Sequence, residues 1–389
     1  MFNSLTLLPS DPIYGMQALY KADERPSKIN LSIGICLNEE GKLLRFKALN
    51  EAETRIFERQ ASKEYLPITG LASFCNQAQE LVVGDHDPSD FFSSQTVGGT
   101  GALFVAGQLL IKAGIKHIFI PEPSWPNHRQ LFEAANLPVT SYPYYDKANI
   151  CLEFDNMLKA VSNMPANSAI VLQASCHNPT GIDPTHSQWQ ELSTHLKQKQ
   201  ILPIFDLAYL GLGSGINEDT HGIRTFLKDG HNMFICTTFA KSMGIYNDRL
   251  GLLTLKMPKT QLDILASHIR SIARTCYSSP PAQGALLASE ILGDSCLCKM
   301  WKDELNSTRL RLHTQRSMLF AQLQKHSCKT PYKHLLQTQG LFCLFDIPPE
   351  GVALLREQSG IYIALDGRIS LAAITKDNVE AIAKGLSTL

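Results

Sequence analysis

Met233-Phe234-Ile235-Cys236-Thr237-Thr238-Phe239-Ala240-Lys241-Ser242-Met243-Gly244 opens on an apolar run and ends on a lysine. The run Met233 to Phe239 predicts a buried strand, with Lys241 just past its end. Lysine is almost never fully buried without a partner. Desolvation or nearby positive charge pushes the pKa of such a lysine down and makes it a nucleophile for carbonyl carbons. Eight residues on stands Arg249, a fixed cation suited to holding a phosphate. A surface lysine at a strand end fits this short stretch equally well, so its surroundings must decide.

Working outward, strand-like runs recur at His117–Pro121, Val139–Tyr145, Ala169–Ala174, Ile201–Asp206 and Arg249–Leu255, with helix-like runs between them. From Thr185 to about Lys197, for example, Thr185 and Gln188 have capping-box spacing. Alternation of this kind predicts an α/β fold, a mostly parallel sheet covered by helices on both faces. Ligands of such sheets bind at the carboxyl ends of the strands. Ser175–Gly181, Asp206–Tyr209 and Thr238–Lys241 all fall there.

The 389 residues suit one large and one small domain. The expected division is an arm with part of the small domain over 1–45, a large domain over 46–308 and a small α+β domain over 309–389. Residues 1–45 read as irregular apart from a short strand, Ile29 to Ile35. A long amphipathic helix from about Leu297 to Gln324 links the two domains. With 36 basic and 36 acidic side chains, nothing in the charge suggests nucleic acid or an anionic membrane as partner. No apolar run approaches the roughly 18 residues that span a bilayer. The ten cysteines include Cys328 and form no CxxC pair, and Cys296 and Cys298 have no second ligand pair nearby. Reduced thiols in a cytoplasmic protein, and no metal, are the expectation.

Several residues carry possible chemistry. Gln95-Thr96-Val97-Gly98-Gly99-Thr100-Gly101 is a glycine-rich turn opening a helix, an anion site by its free N–H groups and dipole. Asp206 ends an apolar strand, where a carboxylate is costly unless paired. It reads as a helix cap or as the partner of a protonated ring nitrogen. Tyr209 can point into the same pocket. Trp125, in Pro123-Ser124-Trp125-Pro126-Asn127-His128, can stack on a planar ring, with His128 behind Asp206. Arg274 and Arg368 sit in apolar settings, and their planar forks match carboxylates. A Schiff-base lysine close to a phosphate site is the outline of a pyridoxal phosphate (PLP) site.

SCHNPTG (175–181), FDLAYLG (205–211) and TFAKSMGIYNDRLG (238–251) occur in that order. YLPITG, QTVGGTGAL, PSWPNH, YSSPPAQGA and DGRIS accompany them. Together, over essentially the whole chain, they resemble the class I aminotransferases of the aspartate and aromatic amino acid branch, PLP enzymes of fold type I. The resemblance implies that Lys241 forms the internal aldimine and shuttles the substrate proton. It implies that Asp206 pairs with the pyridinium nitrogen, and that Tyr209 and Asn178 bond the ring's phenolic oxygen while Trp125 stacks on the ring. Gly99, Thr100, Thr238 and Arg249 would bind the phosphate, with Tyr65 arriving from the second subunit of a homodimer. Arg368, helped by Gly34 and Asn178, would hold the substrate α-carboxylate. Arg274, again from the partner, would meet a side-chain carboxylate.

Three positions depart from the family pattern. Thr238 stands where serine or glycine is usual, Cys36 replaces a tyrosine, and Ser279 replaces an asparagine of the aspartate enzymes. Ser279, with NLSIG (30–34) and NEEG (38–41), looks more like the bacterial aromatic enzymes. The expected reaction is ping-pong amino transfer between an aromatic amino acid or aspartate and an oxo acid such as 2-oxoglutarate, leaning aromatic. Aspartate specificity is the close alternative, and a fold type I lyase or decarboxylase a more distant one.

Overall fold

The structure, a computed structural model, describes residues 2, 5–7, 11–326 and 332–389, so Cys328 lies outside the described residues. The chain divides into two compact units. The larger holds Leu44–Asn178 and Ile182–Leu310, the smaller Met1–Leu43, Pro179–Gly181 and Arg311–Leu389.

The larger unit is built on a seven-stranded sheet. Its strands are β1 (Phe91–Val97), β2 (Ile118–Glu122), β3 (Val139–Pro143), β4 (Ala169–Gln173), β5 (Leu202–Leu207), β6 (Met233–Thr238) and β7 (Leu250–Lys256). Their order across the sheet is β1-β7-β6-β5-β4-β2-β3. Every neighbouring pair is parallel except the two made by β7. The central strands β4 to β6 are buried along nearly their whole length, as a parallel sheet with both faces covered must be. Alternate residues feed two cores. Ile170, Leu172, Phe205 and Ile235 meet Met157, Trp189, Leu192 and Phe226 of the helices on one face. Val171, Ile204, Phe234 and Leu253 meet Leu103, Leu109, Ile269 and Ile272 of the helices on the other. The capping box at Thr185 and Gln188 is present and starts the helix His186–Lys199.

The smaller unit is α+β. Ile29–Asn30 pairs in parallel with Ile361–Tyr362, and Phe342–Leu344 pairs antiparallel with Arg368–Ser370. Helices Pro12–Ala22, Pro349–Ser359 and Val379–Leu386 surround them. Leu319, Phe345, Leu355, Ile363, Ile369 and Ile382 lie in its core. The α/β architecture expected from strand–helix alternation, with a smaller α+β part, is therefore the one found.

Three local expectations need correction. Pro12–Ala22 is helical where an irregular arm was expected, because proline is tolerated at the first helical position, whose N–H has no helical partner. The strand expected over Ile29 to Ile35 stops at Asn30, whose side-chain oxygen takes both Ser32 N–H (3.0 Å) and Ser32 Oγ–H (2.7 Å) and turns the chain aside. Strand β1 was not foreseen. Gln95 and Thr96, expected within the glycine-rich turn, belong to this strand, and the polar groups of Ser93 and Gln95 find partners inside. Ser93 Oγ lies 2.8 Å from Thr254 Oγ1, and Gln95 Nε2 donates to Pro281 O at 2.8 Å.

Among the described residues no helix is long and apolar enough to cross a membrane. Among them, too, no group of three or more His, Cys, Asp or Glu could hold a metal ion.

Candidate active site

Because β4, β5 and β6 run parallel, their carboxyl ends share one edge of the sheet. The register sets Gln173 opposite Asp206, and Asp206 opposite Cys236. Asn178, Asp206, Tyr209 and Lys241 all follow from these ends. Asp206 is only 6% exposed, and its carboxylate meets His128, with Nε2 at 2.9 Å from Oδ2. His128 Nδ1 lies 2.7 Å from Ser124 Oγ. Nε2–H can donate to the Asp206 carboxylate, while the Ser124 hydroxyl is the partner at Nδ1. Burial first, and the Asp206 carboxylate second, push the Cys236 thiol well above its ordinary pKa. Trp125 stands in the loop before this histidine, its ring edge-on to His128 at 5.3 Å between centroids.

Lys241 Nζ lies over the Tyr209 ring, 5.0 Å from its centroid. Asn178 Nδ2 approaches Tyr209 Oη at 3.5 Å. The turn after Lys241 is held from the long helix Ser295–Lys325, where the fully buried Trp301 donates Nε1–H to Ser242 O at 2.7 Å. The loop before Asn178 is held by Asp183, which accepts from the N–H groups of Cys176 (2.7 Å) and His177 (2.9 Å). The His177 ring is fully buried and stacks on Tyr144 at 3.8 Å. Burial, helped by His128, holds its pKa well below the ordinary histidine value.

The glycine turn faces β7 and the end of β6. Gly98, at φ +67°, donates its N–H to Arg249 O at 2.6 Å. A Cβ on Gly98 would sit 2.7 Å from Arg249 Nη2, and one on Gly99 would sit 3.2 Å from Thr238 Cβ. Gly251, in register with both Thr96 and Thr238, allows the close approach, since a Cβ there would lie 2.3 Å from Gly98 C and O. The result is a turn packed closely against Arg249, Thr238 and the β7 backbone, where side chains in place of these glycines would not fit. The N-terminus of the helix Gly98–Lys112 opens from this turn beside Thr238 and the Arg249 guanidinium, and Thr238 Oγ1 donates to Leu250 O at 3.2 Å. That donor set fits a phosphate dianion, and the buried Asp206 fits a cationic ring nitrogen. The residues therefore suit a phosphorylated pyridine.

Gly34 and Arg368 come together in the smaller unit. Arg368 is 3% exposed, donates Nη2–H to Ser32 O at 3.0 Å, and lays its guanidinium 4.0 Å from the Phe342 ring centroid. A Cβ on Gly34 would lie 2.5 Å from Cζ of the same phenylalanine. Tyr65 is 95% exposed, and Arg274 is exposed with Nη1 donating to Ser278 Oγ at 2.5 Å. In the single chain neither joins the group around Lys241.

Sequence reasoning passed over Gln173, Gly251 and Trp301. Gln173 had a signal, a lone amide ending an apolar strand. Trp301 had none, because its partner is a main-chain carbonyl 59 residues away.

A family model described as aminotransferase class I and II matches residues 26–386. The aspartate aminotransferase of Escherichia coli K12 is 36% identical over 392 residues, covering 99% of each chain. The crystal structure of an aromatic-amino-acid aminotransferase from Burkholderia pseudomallei, covalently bound to pyridoxal phosphate, superposes with a TM-score of 0.96 at 33% identity, covering 100% of this chain and 99% of that one. Aspartate aminotransferase from Saccharomyces cerevisiae cytoplasm gives a TM-score of 0.97 at 30% identity, with 100% and 98% covered. A mostly parallel sheet with a lysine and a glycine-rich helix N-terminus at its carboxyl edge thus has full-length relatives named as aminotransferases. The chain belongs to the class I and II aminotransferases.

Proposed function

We propose that the chain is a PLP-dependent transaminase moving the amino group of an aromatic amino acid or aspartate to a 2-oxo acid such as 2-oxoglutarate. The observation that carries this is the grouping of Lys241, Tyr209, Asn178 and Asp206 at one sheet edge, together with a helix-opening glycine turn packed against Arg249 and Thr238. The cofactor, when bound, supplies an electron sink for the pair left behind as the substrate Cα–H bond breaks.

The chain's own residues do the rest. Gly99, Thr100, Thr238 and Arg249 hold the phosphate. Asp206, oriented by His128, keeps a ring nitrogen protonated by its negative charge. Trp125 would stack on the ring, and Asn178 and Tyr209 would donate hydrogen bonds to its phenolic oxygen. Lys241 would be the point of covalent attachment, and its amine would be the base that takes the proton from the substrate Cα and returns it. Arg368, already buried and oriented, receives the α-carboxylate as a bidentate fork, with Gly34 leaving room. Tyr65 and Arg274 act across a homodimer interface, on the partner's phosphate and on a side-chain carboxylate. That assignment gives a function to two side chains that are exposed in the single chain. The larger and smaller units correspond to a PLP domain and a small domain, and the compartment is the cytoplasm.

Ser279, in the loop after the helix that carries Arg274, and the N-terminal NLSIG and NEEG favour aromatic substrates; aspartate is the competing preference. Spectral half-reactions of the purified, PLP-loaded protein with aspartate, glutamate, tyrosine and phenylalanine decide between them. Comparable rates for tyrosine and aspartate are expected. A response to aspartate and glutamate alone would remove the aromatic reading.

A further inference from the structure

We propose that Gln173 is a positioning residue for Asn178, and through it sets the strength of the hydrogen bond that Asn178 gives the cofactor ring. The idea rests on the role assigned to Asn178 above. Gln173 is the last residue of β4, 5% exposed, and lies in register with Asp206. Its carboxamide grips the main chain of Asn178 at both groups. Oε1 accepts from Asn178 N–H at 2.8 Å, and Nε2 donates to Asn178 O at 3.0 Å. A backbone N–H only donates and a carbonyl only accepts, so the amide has a single allowed orientation. The two bonds reproduce the exchange of an antiparallel bridge, with a side chain standing in for one strand.

The loop between them needs this hold. Cys176 sits at φ +55°, a left-handed conformation that a residue with a Cβ adopts only when its surroundings impose it. Asp183 fixes the N–H groups of Cys176 and His177, and Gln173 fixes the next residue, Asn178. Three consecutive amides are thereby held by two side chains. The side chain of Asn178 leaves this clamped backbone to meet Tyr209 Oη. Asn178 is itself 5% exposed, so water has little room to replace a lost partner.

No other common side chain does the same. Glutamate keeps the acceptor but turns an oxygen toward the Asn178 carbonyl, asparagine is one methylene short, and leucine fills the volume with no polar group. Removing the amide lets the Asn178 backbone drift, which weakens its side-chain bond at a distance from the substrate.

The test compares Gln173→Leu, Asn178→Ala and the double variant in two measurements. One is the pH midpoint of the visible absorbance of the PLP-loaded protein. The other is backbone amide exchange at Asn178 in the cofactor-free protein. Asn178→Ala should move the midpoint by about 0.5–1 pH unit, the size of one lost hydrogen bond. Gln173→Leu should move it in the same direction, the double variant should match Asn178→Ala alone, and exchange at Asn178 should quicken about tenfold in Gln173→Leu. If Gln173→Leu does not fold, Gln173→Glu carries the same comparison at nearly unchanged volume. An unmoved midpoint in the Gln173 variant, additive shifts in the double variant, or unchanged exchange each overturn the proposal. If Asn178→Ala itself leaves the midpoint in place, the role of Asn178 is wrong and the proposal falls with it. The exchange rate then still reports separately whether Gln173 holds the loop.

Discussion

Adding one methyl group at Gly251 should damage cofactor binding far more than its size suggests. Gly251 lies on β7 between Thr96 of β1 and Thr238 of β6. A Cβ built on it falls 2.3 Å from the carbonyl carbon and oxygen of Gly98, and 2.8 Å from Thr96 Oγ1. Ordinary contact begins near 3.4 Å, so main chain rather than a flexible side-chain tip must retreat by about 1 Å. The atoms that retreat are those of the turn that opens the helix Gly98–Lys112, the proposed phosphate site. Overpacking of this kind costs about 1–3 kcal/mol. If the turn must return to its native place to receive phosphate, the same energy opposes binding and weakens it roughly 5- to 150-fold. Titrating cofactor-free Gly251→Ala with PLP measures this directly, and a thermal melt reports the strain. Gly101→Ala is the control. Its Cβ would meet Val97 Cβ at 3.4 Å and Thr96 Cβ at 3.6 Å, which is ordinary contact. Alanine is also the better residue inside a helix by about 0.5–1 kcal/mol. Wild-type affinity and melting temperature in Gly251→Ala would refute the steric argument. Equal damage in both variants would show that any added methyl disturbs the turn, and would refute it too.

The other expectations concern the lysine, its support and a buried histidine. Lys241→Ala should retain PLP only non-covalently, lose the visible band of the lysine-bound cofactor and lose turnover; normal turnover would contradict the assigned mechanism. Trp301→Phe keeps an aromatic ring but leaves the buried Ser242 carbonyl without its 2.7 Å donor, at a cost of about 1–3 kcal/mol. A lower melting temperature together with a fall in kcat larger than any change in KM is expected, and a change in neither would show that the bond does not position the lysine turn. His177, held neutral by burial, should make the protein acid-sensitive. Its folded pKa lies below the unfolded value of 6.5, so its contribution is fully present above that pH and is lost as pH falls. The unfolded chain takes up the proton first, and the slope approaches about 1.4 kcal/mol per pH unit below the unfolded value. Denaturant unfolding across this range should show a flatter pH dependence for His177→Gln, and an identical slope would mean that His177 does not titrate on unfolding.

How far the molecule could be read in advance depended on what kind of partner each residue uses. The central strands β4, β5 and β6 were legible because burial on both faces demands unbroken apolar runs, and Ala169–Leu172 and Met233–Cys236 supply them. Strand β1 was not, because Ser93 and Gln95 are satisfied by partners distant in sequence, such as Thr254 and Pro281. The grouping of Asp206 and Tyr209 near Lys241 followed from topology, since strands that run parallel deliver their ends to one edge. The neighbours that orient those residues were less visible. Gln173 works on main-chain groups, which have no sequence identity to match, and Trp301 likewise bonds a carbonyl. Gly251 acts by lacking an atom, which a pattern of side chains records only as a glycine in a strand. Residues that touch the reacting groups are constrained by chemistry and can be recognised by type. Residues that hold them are constrained by distance, and distance is fixed only once the chain has folded.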